Sequence, residues 1–527
     1  MNRIWKMMIA MLLILSLSVG LIACAPKPSE KTFKNAQKDA FQDAVDQLLE
    51  GYEMTGSGDM AITANMRVTL SENLLTMLRS LTGEQMNWLN DLTIQLDQNS
   101  KDKKMEQTLL LGYKGKELVS AKMLSDIAKG DIFVAIPVLT KKYLTAGLND
   151  QLSGAGGAIS APSAMLSGDI LKYLPTEEVL EKLLYRYYDI IMNGMTGVTF
   201  ESGKLVANGV EQECTVYELE LTINQIREIA KQFLETLKTD KELKEAIYDF
   251  ANGMIKDGLV DPGQTADDAY NEFVDAIDEA LEDLAIADDK DDTVAIKWTT
   301  YMTKKSEIIG TKLELMDEES TGTIFAGKAQ NGEKIGTEVY VETDGEKVFE
   351  INGELTETKQ VQSGTYEIKA EGKSMLFVDV KDLSAKQLEE GYIDGTFKIC
   401  PSNGLMDEIG LEGFAPGLAL ASMAIELDVS QTKDQKSTLV VSVLNGDTSY
   451  VSVTLETQVK DATAITLPSG SDVTTDAESW LEGMDFDALI TQMKNSGLPT
   501  SVTDMVSTLI DSMMHPEINV FPSIPMF

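Results

Sequence analysis

Apolar and polar residues alternate with period two over long blocks of this chain, and stripes of period 3.6 lie between the blocks. Met60 to Leu70 puts Ile62, Ala64, Met66, Val68 and Leu70 on one face, the mark of a half-buried strand. Leu92–Leu96, Lys104–Tyr113 and Glu117–Met123 continue the pattern, with Lys114-Gly115 as a tight turn. Asp131–Pro137 predicts a further strand, ended by its proline. A helix with Phe41, Val45, Leu48 and Leu49 on one face precedes this block. A second follows Thr176, read as its N-cap with Glu178 close behind, and turns Leu180, Leu183, Leu184 and Tyr187 inward.

The remaining blocks repeat the scheme. Lys204–Ala207 and Thr215–Leu221 flank Asn208-Gly209, a pair that accepts the positive φ of a two-residue hairpin turn. Ile223–Leu237 and Lys241–Ile255 predict helices. After Asp261-Pro262-Gly263, Thr265 and Asp268 cap a helix to about Ala285 that buries Tyr270, Phe273, Ile277, Leu281 and Leu284. Turn pairs Asn331-Gly332, Asp344-Gly345, Glu371-Gly372 and Asn445-Gly446 divide a second β-rich stretch, which ends in the alternation Val451, Val453, Leu455, Thr457, Val459. Helices over Ala477–Met493 and Val502–Met514 follow, then an apolar tail.

This order predicts an α+β protein of two curved antiparallel sheet units, each partly covered by helices. The units are placed at residues 36–260 and 261–514, with a tether at 24–35 and the tail at 515–527. Phe133 to Pro137 parallels Phe397 to Pro401, and Val206 to Gly209 parallels Val443 to Gly446. Either an internal duplication or two unrelated meanders with common turn chemistry accounts for these pairs.

The first residues carry a different signal. Arg3 and Lys6 precede an apolar run from Met7 to Val19, then Leu21-Ile22-Ala23-Cys24. Residues 1–23 read as a secretory signal peptide. Their end resembles the lipobox of bacterial lipoproteins, which implies that the Cys24 sulfur carries a diacylglycerol and becomes the mature N-terminus. The expected location is therefore extracytoplasmic, on the cell membrane. No other run is long and apolar enough to span a bilayer.

Charge narrows the partners. Asp and Glu number 85 against 45 Lys and Arg, a net charge of −40, so nucleic acid is excluded as a partner. An anionic membrane surface repels the body, which leaves the lipid to hold it down.

Catalytic chemistry has little to build on. The single histidine, His515, sits in the tail, too little for a zinc site or a Ser-His-Asp arrangement. No glycine-rich phosphate loop follows a strand, and no cofactor is implied. The cluster Asp288–Asp292 reads as a solvated linker or a Ca²⁺ loop, though it lacks the glycine and glutamate of an EF-hand. Cys214 and Cys400 both fall out of phase with their strands' apolar residues; a disulfide across outer sheet faces and two separate thiols both fit. The chain carries 26 methionines, whose flexible thioethers suit core gaps or an adaptable apolar cavity.

The lipobox, the strand Asp131–Pro137 followed by Lys141-Lys142-Tyr143-Leu144, and the hairpin ending Thr215–Thr222 resemble exported lipoproteins of Firmicutes, of the LolA/LppX-like half-barrel type. That resemblance implies a curved antiparallel sheet with helices over its concave face and a non-enzymatic binder of lipid or another apolar molecule. A structural or assembly protein that binds a protein partner, and the solute-binding component of a transporter, are the alternative readings.

Overall fold

The structure is a computed structural model that describes residues 27–56, 59–126, 129–147, 173–256, 263–286, 292–316, 320–408 and 423–514. Cys24 and the signal segment, the 288–291 part of the acidic cluster, His515 and the 516–527 tail lie outside the described residues. Along the chain come α1 (Glu30–Gly56), β1 (Met60–Leu70), α2 (Glu72–Thr82), β2 (Leu92–Lys101), β3 (Lys104–Tyr113), β4 (Lys116–Asp126), β5 (Asp131–Ala135) and β6 (Tyr143–Gly147). Next are α3 (Glu177–Gly194), β7 (Thr199–Ala207), β8 (Val210–Thr222), α4 (Ile223–Thr239), α5 (Lys241–Lys256) and α6 (Ala266–Ile286). A run of strands follows: β9 (Val294–Met302), β10 (Ile308–Met316), β11 (Thr321–Asn331), β12 (Lys334–Thr343), β13 (Glu346–Thr358), β14 (Val361–Ala370) and β15 (Lys373–Ser384). The chain continues through α7 (Ala385–Glu389), β16 (Asp394–Pro401), α8 (Asn403–Glu408), β17 (Met423–Thr432), β18 (Lys436–Asn445), β19 (Thr448–Lys460) and β20 (Val473–Thr474). It closes with α9 (Ala477–Glu482), α10 (Phe486–Ser496) and α11 (Thr500–Met514). The class is mixed α+β, with a large, curved, unclosed antiparallel sheet.

Two compact units share the chain, but not in sequence order. Of the described residues, a central unit comprises those within Met1–Gly56, Ala161–Glu390 and Ile399–Gly417, and a flanking unit those within Ser57–Ser160, Gly391–Lys398 and Leu418–Phe527. The division expected between residues 260 and 261 is therefore corrected. β1 pairs antiparallel with β19, from Ala61 opposite Lys460 to Leu70 opposite Val451. Both strands alternate in the same phase, so this register puts Ile62, Ala64, Met66, Val68 and Leu70 on one face with Val451, Val453, Leu455 and Val459. The landmarks that suggested a repeat fall on both units: Phe133 belongs to the flanking unit and the Asn208-Gly209 turn to the central one.

Local chemistry explains most boundaries. The Asn208-Gly209 turn has φ of 44° and 78°, as a tight hairpin needs. Thr222 and Gln225 form a reciprocal capping box at the start of α4. The tether expected at 24–35 ends sooner than the sequence suggests. Ser29 accepts from the Thr32 N–H at 3.1 Å, α1 begins at Glu30, and Phe33 is fully buried. Thr176 holds the N-cap position of α3, yet its side chain makes no capping bond. The single helix expected over Ala477–Met493 is two, because Gly483 ends α9 and the Asp485 carboxylate caps α10 through the Ala488 N–H. Helix α2 was not anticipated; Ser71 caps its start and left-handed Gly83 its end.

In the central unit, β7 to β15 form an antiparallel meander in chain order. One face of β8–β10 offers Tyr217, Leu219, Leu221, Ile296, Trp298 and Leu313, all nearly inaccessible. Helices α1, α3 and α4 seal it with Phe33, Ala36, Tyr188, Met192, Ile226 and Ile229. Phe33 stands edge-on to Trp298, ring centroids 5.8 Å apart, and 6.0 Å from Tyr217. The opposite face closes differently: the β7–β8 hairpin packs Leu205, Ala207 and Cys214 against Phe325 and Ala329 of β11. A Cβ at Gly336 of β12 would stand 2.0 Å from the Ala207 carbonyl oxygen, so this approach needs glycine.

An ion-pair network joins α3 to the start of α5. The Arg186 guanidinium bridges Asp240 and Glu242, and the Tyr187 hydroxyl donates to Asp240 Oδ2 at 2.9 Å. Asp240 Oδ1 also accepts from the Glu242 and Leu243 N–H groups. Burial pushes the Asp240 carboxyl upward, but Arg186, the Leu243 N–H and Tyr187 outweigh it and hold the group below the usual carboxylate range. Its contribution to stability is thus present above the unfolded pKa of about 3.9 and lost as pH falls through the lower folded value. Asp240→Asn is expected to cost about 1–3 kcal/mol at neutral pH. It should also flatten the loss of stability below about pH 4. Urea melts of both proteins from pH 3 to pH 7 measure this, and identical acid limbs would remove Asp240 from the account.

Candidate functional site

The flanking unit arranges its strands β17-β18-β19-β1-β2-β3-β4-β5-β6-β20, antiparallel throughout except for the β6–β20 pair. Because side chains alternate faces, the register lines up rows of residues across the sheet. One row runs Val429, Leu439, Leu455, Met66, Ile94, Leu111, Val119 across seven strands, apolar at every position. Neighbouring rows are Leu427, Val441, Val453, Val68 and, on the other side, Thr457, Ala64, Leu96, Leu109, Ala121. At the usual strand spacing, the seven-strand row is roughly 29 Å long along the sheet. The reverse face of β19, β1 and β2 is polar, carrying Glu456, Gln458, Asn65, Arg67, Gln95 and Asp97.

An apolar sheet face normally lies against a core. Among the described residues, α10 and α11 cover one end, where Leu489, Ile490, Met493, Val502 and Val506 pack on Tyr113, Leu118 and Leu111. Beyond that end, no row member on β17–β19 or β1–β3 is fully buried among the described residues. Ile94 is 36% exposed, Leu96 38%, Ile425 46% and Leu109 52%. Contiguous apolar surfaces of this kind are where proteins, membranes or apolar ligands make contact. Its rows offer mainly dispersion contact.

Other places carry less. An open cleft of about 530 Å³ beside the end of α3 and the start of α4 is lined by Asn224, Glu228, Lys231, Gln232 and Glu235, with Ile229 the main apolar contributor. No group of three His, Cys, Asp or Glu among the described residues is placed to hold a metal ion. Asp292, the described end of the acidic cluster, accepts from the Asn224 side-chain amide at 3.3 Å. Among the described residues no helix is long and apolar enough to cross a membrane. Of the methionines, Met66 joins the open face, whereas Met192, Met195, Met302 and Met493 fill packed cores.

The cysteines are not brought together as a disulfide. Cys214 also does not face outward as its phase suggested, because β11 closes over that side of the hairpin. Burial pushes its thiol pKa up, partly offset by a backbone hydrogen bond from Leu205. Cys214 should therefore resist a maleimide in the native protein and react on unfolding in guanidinium; peptide mapping of the adduct reads this directly, and rapid native labelling would contradict the packing.

The sequence pattern found β1 to β4 and β19 of this site, and β18 through its Asn445-Gly446 turn, but neither β17 nor the openness of the face. No family model matches the chain, and neither a curated protein nor a solved structure matches it.

Proposed function

We propose that this protein is a lipid-anchored, extracytoplasmic binder of an amphipathic ligand bearing acyl chains, and that it acts without catalysis. The observation that carries the reading is the apolar face of β17–β19 and β1–β3, on which Ile94, Leu96, Leu109 and Ile425 are exposed among the described residues. A long hydrocarbon chain laid along the row from Val429 to Val119 buries area on both partners, at about 25 cal/mol per Å². The sheet is held by continuous ladders, so little ordering is needed on binding. A polar headgroup then stays at the margin in water. The lipobox ending at Cys24 supports a position beside the bilayer where such ligands reside.

Native mass spectrometry of the protein purified from its host is expected to find co-purified lipid. Leu96→Asp combined with Leu109→Asp should remove it while melting within a few degrees of the parent, because both side chains are already well exposed. Each substitution is expected to weaken binding about tenfold, for roughly 1–2 kcal/mol of lost apolar contact. Full lipid occupancy in the double variant would refute the site. Separately, Cys24→Ala is expected to abolish lipid modification, seen as loss of the diacylglyceryl mass and of label from a radioactive fatty acid. An unchanged modified mass would refute the anchor.

A further inference from the structure

Helix α2 follows β1 directly and its first turn is tied to β19. It begins two residues past Leu70, whose row continues through Val451, Val443 and Ile425. Both ends are fixed. The Ser71 N–H donates to the Tyr450 carbonyl at 2.9 Å, the Ser71 hydroxyl accepts from the Leu74 N–H, and the Gly83 N–H closes on the Arg79 carbonyl at 2.8 Å. The Asn90 side chain holds both backbone groups of Leu70, at 2.7 and 2.9 Å. Yet of its apolar residues only Leu75 is buried. Met77 is 52% exposed, and Leu81, at 74%, is the most exposed large apolar side chain among the described residues.

The two hydroxyls beside them are satisfied within the helix. The Thr76 hydroxyl donates to the Glu72 carbonyl at 2.7 Å and the Ser80 hydroxyl to the Thr76 carbonyl at 2.9 Å. The surface formed by Thr76, Met77, Ser80 and Leu81 can therefore enter an apolar medium without orphaning a donor. Its net charge is zero, a balance it shares with α5, α7 and α10. In a chain of net charge −40, α2 holds one acid, Glu72, and one base, Arg79. A strongly acidic body is kept off an anionic bilayer, whereas a neutral helix is not.

We infer that α2 is a bilayer-contact helix: Met77 and Leu81 enter the headgroup–acyl boundary and set the margin of the apolar face against the membrane. The face and the hydrocarbon then form one continuous apolar path, and acyl chains cross without passing through water. The purpose assigned to the helix rests on the lipid-binding reading; its contact with the bilayer does not.

The test uses the full chain with phosphatidylcholine vesicles. An environment-sensitive fluorophore is attached at Leu81→Cys in a Cys400→Ser background, with Glu346→Cys as an exposed reference. The expected result is a blue-shifted emission at position 81, quenched by nitroxide on the lipid acyl chain, and an aqueous spectrum at position 346. Adding Met77→Glu should return the position-81 probe to water. The Met77→Glu/Leu81→Glu protein should hand lipid to acceptor vesicles several-fold more slowly while carrying the same amount. Vesicle contact without bound lipid would support the helix and refute the ligand reading. Bound lipid with an aqueous, unquenched probe at position 81, as a protein-docking helix would give, overturns the inference.

Discussion

A sheet with one apolar face must cover that face or leave it to a partner, and the reach of the helices decides which happens here. In the central unit, α1, α3 and α4 arrive with Phe33, Tyr188, Met192 and Ile226, and the β8–β10 face becomes a sealed core. In the flanking unit, α10 and α11 close over Tyr113 and Leu118 and stop. The rows through Ile94, Leu96, Leu109 and Ile425 stay accessible. One pattern of alternation thus makes a core in one unit and a candidate surface in the other.

An open apolar sheet also invites self-association. The strong negative charge of this chain answers that hazard, since like-charged bodies repel before apolar faces meet. The same charge disfavours nucleic acid and anionic surfaces. The helix that carries Leu81, the most exposed large apolar side chain among the described residues, is also charge-neutral, so repulsion is relaxed where contact with lipid is proposed. Composition and local exposure therefore act together, one keeping the body apart and the other marking where approach is tolerated.

Rigidity links packing to the proposed activity. The open rows belong to ladders paired over eight or more residues on each side of β1, so the surface exists before any ligand arrives. Capped α2, with Leu70 held by Asn90, extends that order to the margin. In the central unit, the close approach of Gly336 to Ala207 and the Arg186–Asp240 network fix the hairpin and the helices in the same way.

Much of this was readable from residues alone. The alternation at Met60–Leu70 and Val451–Val459, the Asn208-Gly209 turn and the Thr265–Asp268 cap are short-range features, set by φ preferences and by bonds spanning a few residues. α2 escaped because its stripe follows a strand directly, with only Ser71 between them. What residues alone could not determine was long-range. Strand propensity does not say that β1 lies beside β19, nor that β11 buries Cys214, since many partners offer the same apolar phase. Above all, alternation names the apolar face of a strand without saying whether anything covers it. Coverage depends on where distant helices end, and only the folded chain decides that.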